Sequence, residues 1–134
     1  GDDQLQRQNE LLGEISEAVA AFHAALLEMG RADQVTLFSA SDFGRNLPSN
    51  GAGTDHAWGS HHFVLGAGLP GGRLYGRFPD LTIDGPDDIG QGSWVPACST
   101  EQLGSELAAW FGADAATRAA VFPNGAYFPR LPGL

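Results

Sequence analysis

The chain has 134 residues, which is enough for one domain and too few for a multidomain enzyme. Hydrophobic residues make up 43% and charged residues 17%, so the composition is that of a folded globular protein and excludes a disordered tail. Seven basic residues stand against 16 acidic ones, for a net charge of −9. This balance argues against a nucleic acid partner, because neutralising phosphates requires a cationic face. No run of 18 apolar residues occurs, so no membrane-spanning helix is expected.

The amino-terminal part of the chain has the periodicity of a long amphipathic helix. Its apolar residues recur at spacings of 3, 4, 3, 4 and 3, and they are Leu12, Ile15, Val19, Phe22, Leu26 and Met29. Gly30 follows the last of them and is expected to end the helix in a left-handed conformation. The stripe holds fewer than three full heptads, which favours packing on a sheet over a coiled-coil partner surface.

Two strands are predicted after this helix, with a long loop between them. Residues Gln34–Ala40 are apolar and β-branched, as in a central strand covered on both faces, and His62–Gly66 forms a second short apolar run. The intervening Ser41–Ser60 has no periodicity and is expected to be a loop of about 20 residues, a length that usually indicates function or disorder. A further short strand is expected at Arg73–Tyr75. Helix, turn and buried strand together indicate an α/β fold.

The carboxy-terminal part is predicted to contain two helices. Phe78–Val95 is rich in Pro, Gly and Asp and should be an irregular surface segment. Ser99 or Thr100 can cap a helix that ends near Gly112, and its apolar residues are Leu103, Leu107, Trp110 and Phe111. Asp114 can cap a short helix to about Val121. The proline-containing tail that follows is expected to run extended over the surface.

Candidate metal ligands are concentrated around the predicted loop. Three of the four histidines and two aspartates fall within 21 residues, namely Asp42, Asp55, His56, His61 and His62. Carboxylate oxygens and imidazole nitrogens are ligands of zinc and similar divalent ions, and three or four are needed for a first shell. His61 and His62 are adjacent, so on a strand only one of them can join the same shell. The alternative is that the aspartates cap turns and the histidines make ordinary hydrogen bonds.

Three other features near this loop could carry chemistry. Arg45 could hold an anionic substrate with its guanidinium group, or it could pair with a neighbouring acid. Ser39 and Ser41 flank the end of the first strand and are candidate nucleophiles, although no G-x-S-x-G motif is present. The glycine-rich run at residues 66–72 lacks the spacing of a phosphate-binding or dinucleotide-binding loop and is interpreted as structural.

The chain resembles a bacterial protein family in the strings VTLFSASDFGRNLPSNGAGTDHAWGSHHFVLGAG, GGRLYGRFP and WVPACSTEQLGSELAAWFG. The family is the domain of unknown function numbered 1501, whose usually exported members are similar to sulfatases of the alkaline phosphatase superfamily. The resemblance extends from about Leu12 to Phe122 and corresponds to the carboxy-terminal part of proteins several hundred residues long. It implies that residues 1–134 are one domain of a longer parent, in a periplasmic or extracellular location.

The resemblance also implies a fold and a metal site. The fold would be part of an alkaline-phosphatase-like, mostly parallel sheet flanked by helices. Asp42 matches the acidic position after the strand, and Asp55 and His56 match the Asp-His pair of the glycine-rich loop. His61 and His62 stand where a further ligand is expected, and His61 is the candidate chosen. Arg45 is the candidate anion contact in catalysis on the basis of its own chemistry. The metal would be zinc, or manganese or calcium. The family's nucleophile and first metal-binding aspartate would lie outside this chain.

Three functional hypotheses follow. The first is a metal-dependent hydrolase of phosphate or sulfate esters, in which this chain supplies part of the metal site and takes a small anionic ester as substrate. The second is a non-catalytic exported binding or assembly module, which would form a homo-oligomer or bind the missing portion of its parent. The third is a small serine esterase that uses Ser39 or Ser41 with a loop histidine.

Overall fold

The computed structural model describes residues 3–66 and 68–131 of the chain. Within them the helices and strands follow the order α1 (Gln4–Glu28), β1 (Thr36–Phe38), β2 (Gly44–Ser49), β3 (Thr54–Ala57), β4 (Val64–Gly66), α2 (Thr100–Trp110) and α3 (Ala115–Val121), and a 3-10 helix at Pro123–Tyr127. The mixture of helices and strands confirms the broad α/β prediction.

The amino-terminal helix α1 has the predicted extent. It ends where predicted, because Gly30 adopts a φ of 62° and the Arg31 amide then donates to the Leu26 carbonyl at 2.8 Å. The predicted packing of its apolar stripe on a sheet is not observed. Within the part of the chain that the structure describes, α1 contacts none of the other helices or strands. A helix of 25 residues is about 37 Å long, whereas the strands have three to six residues, so these sheets are too small to cover it.

The four strands form two separate two-stranded sheets. Strand β1 pairs with β4, with Leu37 opposite Leu65, and β2 pairs with β3, with Arg45 opposite His56. Both pairs are antiparallel, so among the described residues the predicted mostly parallel sheet is absent. The reason is that the connection from β1 to β4 contains a hairpin and no crossover helix, which a parallel pair would need.

The segment predicted as a loop of about 20 residues is therefore a β-hairpin. Its turn is formed by residues 50–53, where the Asn50 amide donates to the Gly53 carbonyl at 3.0 Å and Gly51 has a φ of 93°. The strands β2 and β3 are mainly polar, so they lack the apolar alternation from which a strand is predicted. The strand expected at residues 73–75 does not form; Tyr75 instead donates its hydroxyl to the Pro70 carbonyl at 3.2 Å.

Both carboxy-terminal helices begin at the predicted caps. Ser99 and Gln102 form a capping box at the start of α2, and Asp114 accepts from the Thr117 amide at the start of α3. The prediction of an extended tail is wrong at residues 123–127, which form a 3-10 helix next to α2 and α3. This helix is held by polar contacts: Asn124 donates through its backbone and side-chain amides to the Glu101 carboxylate.

Few side chains are withdrawn from solvent. Among the described residues the buried hydrophobic side chains are Leu26, Trp94 and Leu131, and none is completely enclosed. The accessible surface is 9353 Å², against about 6,700 Å² for a compact protein of this mass. None of the described helices combines the length and apolar character needed to cross a membrane.

Candidate functional site

The hairpin of β2 and β3 carries three of the predicted site residues. Arg45 and His56 are directly opposite each other on the two strands. Phe43 is close to both functional groups: its ring stacks on the His56 imidazole with centroids 3.7 Å apart, and the Arg45 guanidinium lies 5.6 Å from its centroid. All three side chains are exposed. The hairpin thus presents an aromatic, an imidazole and a guanidinium group together to solvent.

Arg45 is oriented by the backbone of the neighbouring strand. One of its Nη atoms donates to the Thr54 carbonyl oxygen at 2.5 Å. A guanidinium group has five N–H donors, so this contact leaves others for an anion. No neighbouring acid takes them, since the ion pairs among the described residues involve other arginines. The sequence left two interpretations of Arg45, contact with an anionic substrate and pairing with a neighbouring acid. Its contacts favour the first.

Asp55 is adjacent to His56 on β3 and is bound by asparagines. Its carboxylate accepts from Asn50 Nδ2 at 2.6 Å, and its backbone amide donates to Asn46 Oδ1 at 2.9 Å. Asn46 is buried, which anchors this contact. Because neighbouring residues on a strand point to opposite faces, Asp55 and His56 are directed away from each other.

The remaining predicted ligands lie beside the hairpin. Asp42 follows β1, and His61 and His62 precede β4; all three are exposed. Within residues 3–66 and 68–131, no group of three or more His, Cys, Asp or Glu side chains is close enough together to hold a metal ion. The carboxylate and imidazole groups are of the kind that binds divalent ions, but the described residues do not bring enough of them together to surround one.

A serine and a histidine meet where β1 and β4 end. Ser39 Oγ lies 3.1 Å from Nδ1 of His62, and the Phe63 amide donates to the same oxygen at 3.0 Å. The Ser39 amide in turn donates to the Phe63 carbonyl, which continues the pairing of the two strands. Of the two serines named from the sequence, only Ser39 has a histidine partner among the described residues. Ser41 donates its hydroxyl to the Phe43 carbonyl and stabilises a turn.

A group of aspartates at residues 80–88 has a structural role that the sequence did not indicate. Asp87 accepts two hydrogen bonds from the Arg77 guanidinium and one from the Asp80 amide, and these contacts lower the pKa of Asp87 to about 2. The Asp88 carboxylate accepts from four backbone amides, which lower its pKa, and these amides belong to Asp84, Gly90, Gly92 and Ser93. These carboxylates therefore hold an irregular loop in shape.

An apolar groove lies apart from all of these residues, between β1 and α2. Its volume is about 350 Å³, and Val35, Phe38, Leu107 and Trp110 are among its lining residues. It contains no acidic or basic side chain. The groove is thus a hydrophobic surface feature, and the chemistry of the predicted site is located on the hairpin and at the ends of β1 and β4.

Comparison with protein families identifies a family to which the chain is similar. The family model described as a protein of unknown function, DUF1501, matches residues 2–91. No curated protein and no solved structure matches the chain. The matched range contains every predicted site residue and covers two thirds of the sequence. The chain therefore belongs to the DUF1501 family, as the strings around the hairpin predicted.

Proposed function

We propose that this chain supplies part of the active site of a metal-dependent hydrolase that acts on phosphate or sulfate esters. The observation that supports it best is the hairpin, which presents Arg45 beside His56 within the range matched by the family. A guanidinium group with unused donors suits the oxygens of a phosphate or sulfate ester. In this proposal Arg45 binds and orients the anionic group of a small ester substrate.

The proposed metal ligands come from Asp42, Asp55, His56 and His61, with zinc as the expected ion and manganese or calcium as alternatives. Because Asp55 and His56 point to opposite faces of β3, only one of these two would join Asp42 and His61 in the same shell. Their oxygen and nitrogen donors suit such ions, and their exposure means that ligation would break no buried contact. A bound divalent ion would polarise the ester and orient a nucleophile. Since the described residues do not close the shell, further ligands and the nucleophile would come from another part of the parent protein.

Family resemblance is the basis for the remaining parts of the proposal. Residues 1–134 would be one domain of a longer exported protein in the periplasm or outside the cell. Its superfamily would be that of the sulfatases and alkaline phosphatases, with a mostly parallel sheet. In the described residues the strands pair antiparallel, so such a sheet would require strands from elsewhere in the parent.

Elemental analysis of the chain purified without chelators tests the metal site. Because its shell is incomplete, we expect substoichiometric metal in the unsubstituted chain and none in an Asp55→Ala, His56→Ala variant. The matched control is Asp33→Ala, His23→Ala, which removes the same two residue types away from the hairpin and should retain the metal. The proposal that the hairpin holds the metal would be contradicted if the unsubstituted chain contained no metal, or if both variants lost the metal equally.

The contact between Ser39 and His62 favours a second candidate, a serine esterase. The 3.1 Å separation of Ser39 Oγ and His62 Nδ1 allows the imidazole to accept the hydroxyl proton when the serine attacks. A fluorophosphonate probe tests this: Ser39 Oγ would form the bond to phosphorus as fluoride leaves and the proton passes to His62. This candidate would be supported if the probe labelled the unsubstituted chain and Ser41→Ala, but did not label Ser39→Ala or His62→Ala. A parent chain without an adduct would eliminate it.

The third candidate, a non-catalytic binding or assembly module, is favoured by the exposed apolar surface. Large hydrophobic side chains are exposed on the helices, the hairpin and the carboxy-terminal segment alike. Self-association without ester hydrolysis or bound metal would support this candidate over the other two.

A further inference from the structure

Phe43 immediately precedes β2, and its ring contacts two functional side chains of the hairpin. The ring lies nearly parallel to the His56 imidazole, with an interplanar angle of 18° and 3.7 Å between the two ring centroids. The guanidinium carbon of Arg45 lies over the same phenyl ring, 5.6 Å from its centroid. One aromatic side chain therefore contacts both the candidate anion-binding group and a candidate metal ligand.

The backbone that carries this ring is held on both sides. The Phe43 carbonyl oxygen accepts a hydrogen bond from the Ser41 hydroxyl at 2.8 Å. At the next residue, Gly44, the backbone approaches the Gly59 carbonyl so closely that a side chain at Gly44 would collide with it. A phenylalanine side chain has only two torsions, each with few preferred values. The Phe43 ring is thus a well-fixed surface against which other side chains can pack.

Stacking holds the His56 imidazole by its face. Among the described residues, no hydrogen bond or ion pair involves either ring nitrogen of His56. His62 differs, because its Nδ1 atom lies 3.1 Å from Ser39 Oγ. The two nitrogens of an imidazole lie at the edge of the ring, in its plane. A contact through the ring face therefore orients His56 and leaves both of its nitrogens for a ligand.

Arg45 is held by two contacts of different kinds. One Nη atom donates to the Thr54 carbonyl, and the guanidinium group is attracted to the negative face of the Phe43 ring. An exposed arginine otherwise samples many rotamers and loses that freedom when it binds a ligand. Contacts that already restrict Arg45 in the unliganded chain reduce this entropic loss. Phe43 thus favours anion binding without contacting the anion.

Both contacts of Phe43 require an aromatic ring. Leucine at this position would retain an apolar side chain, but it has no π system to stack on His56 or to attract Arg45. Phe43 is 41% exposed, so it is not part of the buried core. Replacement by leucine therefore separates stacking from simple apolar packing, and replacement by tyrosine retains the ring.

We propose that Phe43 is a positioning residue, which orients the His56 imidazole and the Arg45 guanidinium relative to each other for ligand binding. The inference rests on the proposed function, in which Arg45 binds the anionic group of the ester and His56 is a candidate metal ligand. It assigns a role at the site to a residue whose type alone indicates no such chemistry.

Nuclear magnetic resonance of the histidine ring protons tests this arrangement in the metal-free chain. An aromatic ring shields protons that are stacked over its face, so the ring protons of His56 should resonate upfield of those of His23. The His56→Ala variant assigns the signals. Phe43→Leu should remove the upfield displacement, whereas Phe43→Tyr should preserve it.

Calorimetric titration with inorganic phosphate tests the consequence for binding. Phe43→Leu should raise the dissociation constant about two- to fivefold at low ionic strength, the change expected when an exposed cation–π contact is lost. Phe43→Tyr should leave the dissociation constant unchanged. The matched control is Phe38→Leu, which replaces an exposed phenylalanine on β1 and should alter neither phosphate affinity nor the His56 signals. Circular dichroism shows whether each variant is folded.

The proposal would be overturned if the His56 ring protons of the unsubstituted chain showed no upfield displacement. It would also be overturned by a folded Phe43→Leu variant that binds phosphate as tightly as the unsubstituted chain. If the unsubstituted chain bound no phosphate, the proposed function would fail, and the His56 signals would still decide whether Phe43 orients the imidazole.

Discussion

The ion pair between Glu106 and Arg130 connects α2 to the carboxy-terminal segment. Glu106 is buried, and its two carboxylate oxygens accept from Nε and one Nη of Arg130 at 2.8 and 2.5 Å. These hydrogen bonds lower the pKa of Glu106. Because the pKa is lower in the folded than in the unfolded chain, the pair stabilises the fold above the unfolded pKa of about 4.5. This stabilisation is lost as the pH falls through the folded pKa.

We therefore predict that Glu106→Gln destabilises the chain in a pH-dependent way. At pH 7 the free energy of unfolding should fall by about 1 kcal/mol, because a charge-assisted pair is replaced by a neutral hydrogen bond. The free energies of unfolding of the unsubstituted chain and the variant, measured with urea, should become equal as the pH falls below 4. The exposed Glu17→Gln is the control and should have little effect at either pH. A pH-independent difference between parent and Glu106→Gln would contradict this account.

Arg45 provides the prediction that bears on the candidate site. Arg45→Gln should raise the dissociation constant of inorganic phosphate or sulfate about tenfold at low ionic strength, because a charged donor is lost from the hairpin. Arg31→Gln is the control, since Arg31 donates to Gln34 at the end of α1, away from the hairpin. Isothermal titration calorimetry measures both. Equal affinities in the two variants would remove Arg45 as the anion contact.

The sequence names the candidate residues, and the structure adds their placement. Asp42, Asp55, His56 and His61 are candidates because carboxylates and imidazoles clustered in a sequence are typical of metal sites, and their role as ligands stays a prediction. The sequence could not show that the side chains of Asp55 and His56 point to opposite faces of one strand, because strand β3 was not predicted. The partnership of Ser39 with His62 was likewise beyond the sequence, because it depends on the antiparallel pairing of β1 with β4.

The hairpin is positioned by the close approach of backbone segments. A side chain at Gly44, where β2 begins, would collide with the carbonyl oxygen of Gly59, and one at Gly59 would collide with that of Trp94. Only glycine allows three backbones to approach so closely. The base of the hairpin is therefore held against the loop that contains the buried Trp94.

We predict that Gly44→Ala lowers the free energy of unfolding by about 1–3 kcal/mol, since the added methyl group forces the segments apart. Gly13→Ala is the control: no atom lies within 4 Å of the position its side chain would take, and alanine favours a helix by about 1 kcal/mol. The midpoint temperature of thermal unfolding should fall for Gly44→Ala and rise for Gly13→Ala. A Gly44→Ala chain as stable as the parent would show that the close approach is absent in solution.

At the scale of elements, the helices were predictable and the sheets largely were not. The apolar spacing of α1 and the caps at Ser99 and Asp114 are local signals, and the structure confirms all three. Strand partners are set by contacts between distant residues, so a short apolar run at Gln34–Ala40 predicted a strand but not its direction of pairing. The polar strands of the hairpin gave no periodic signal at all.

For the molecule as a whole, the governing feature is the small proportion of surface that folding buries. An unfolded chain of 14.1 kDa exposes about 20,400 Å², so the 9353 Å² of the folded chain corresponds to burial of about 54%. A compact domain of similar size buries about 68%. The difference agrees with the small number of buried hydrophobic side chains and with the large hydrophobic side chains that α1 leaves exposed.

The small buried surface should be visible in calorimetry. A compact protein of 134 residues unfolds with a heat-capacity change of about 1.6–2.0 kcal/mol/K. We expect about 1.3–1.6 kcal/mol/K for this chain, because the change scales with the apolar area exposed on unfolding. A value above 2.0 kcal/mol/K would show that the chain buries more surface than the structure indicates.

A small heat-capacity change alters how the fold responds to temperature. The curvature of the free energy of unfolding with temperature is set by this quantity, so a lower value gives a broader and flatter curve. The chain would then lose little stability on cooling, since the hydrophobic contribution that weakens in the cold is a smaller part of its total. Its cold and heat denaturation would lie further apart in temperature than those of a compact domain with the same maximum stability.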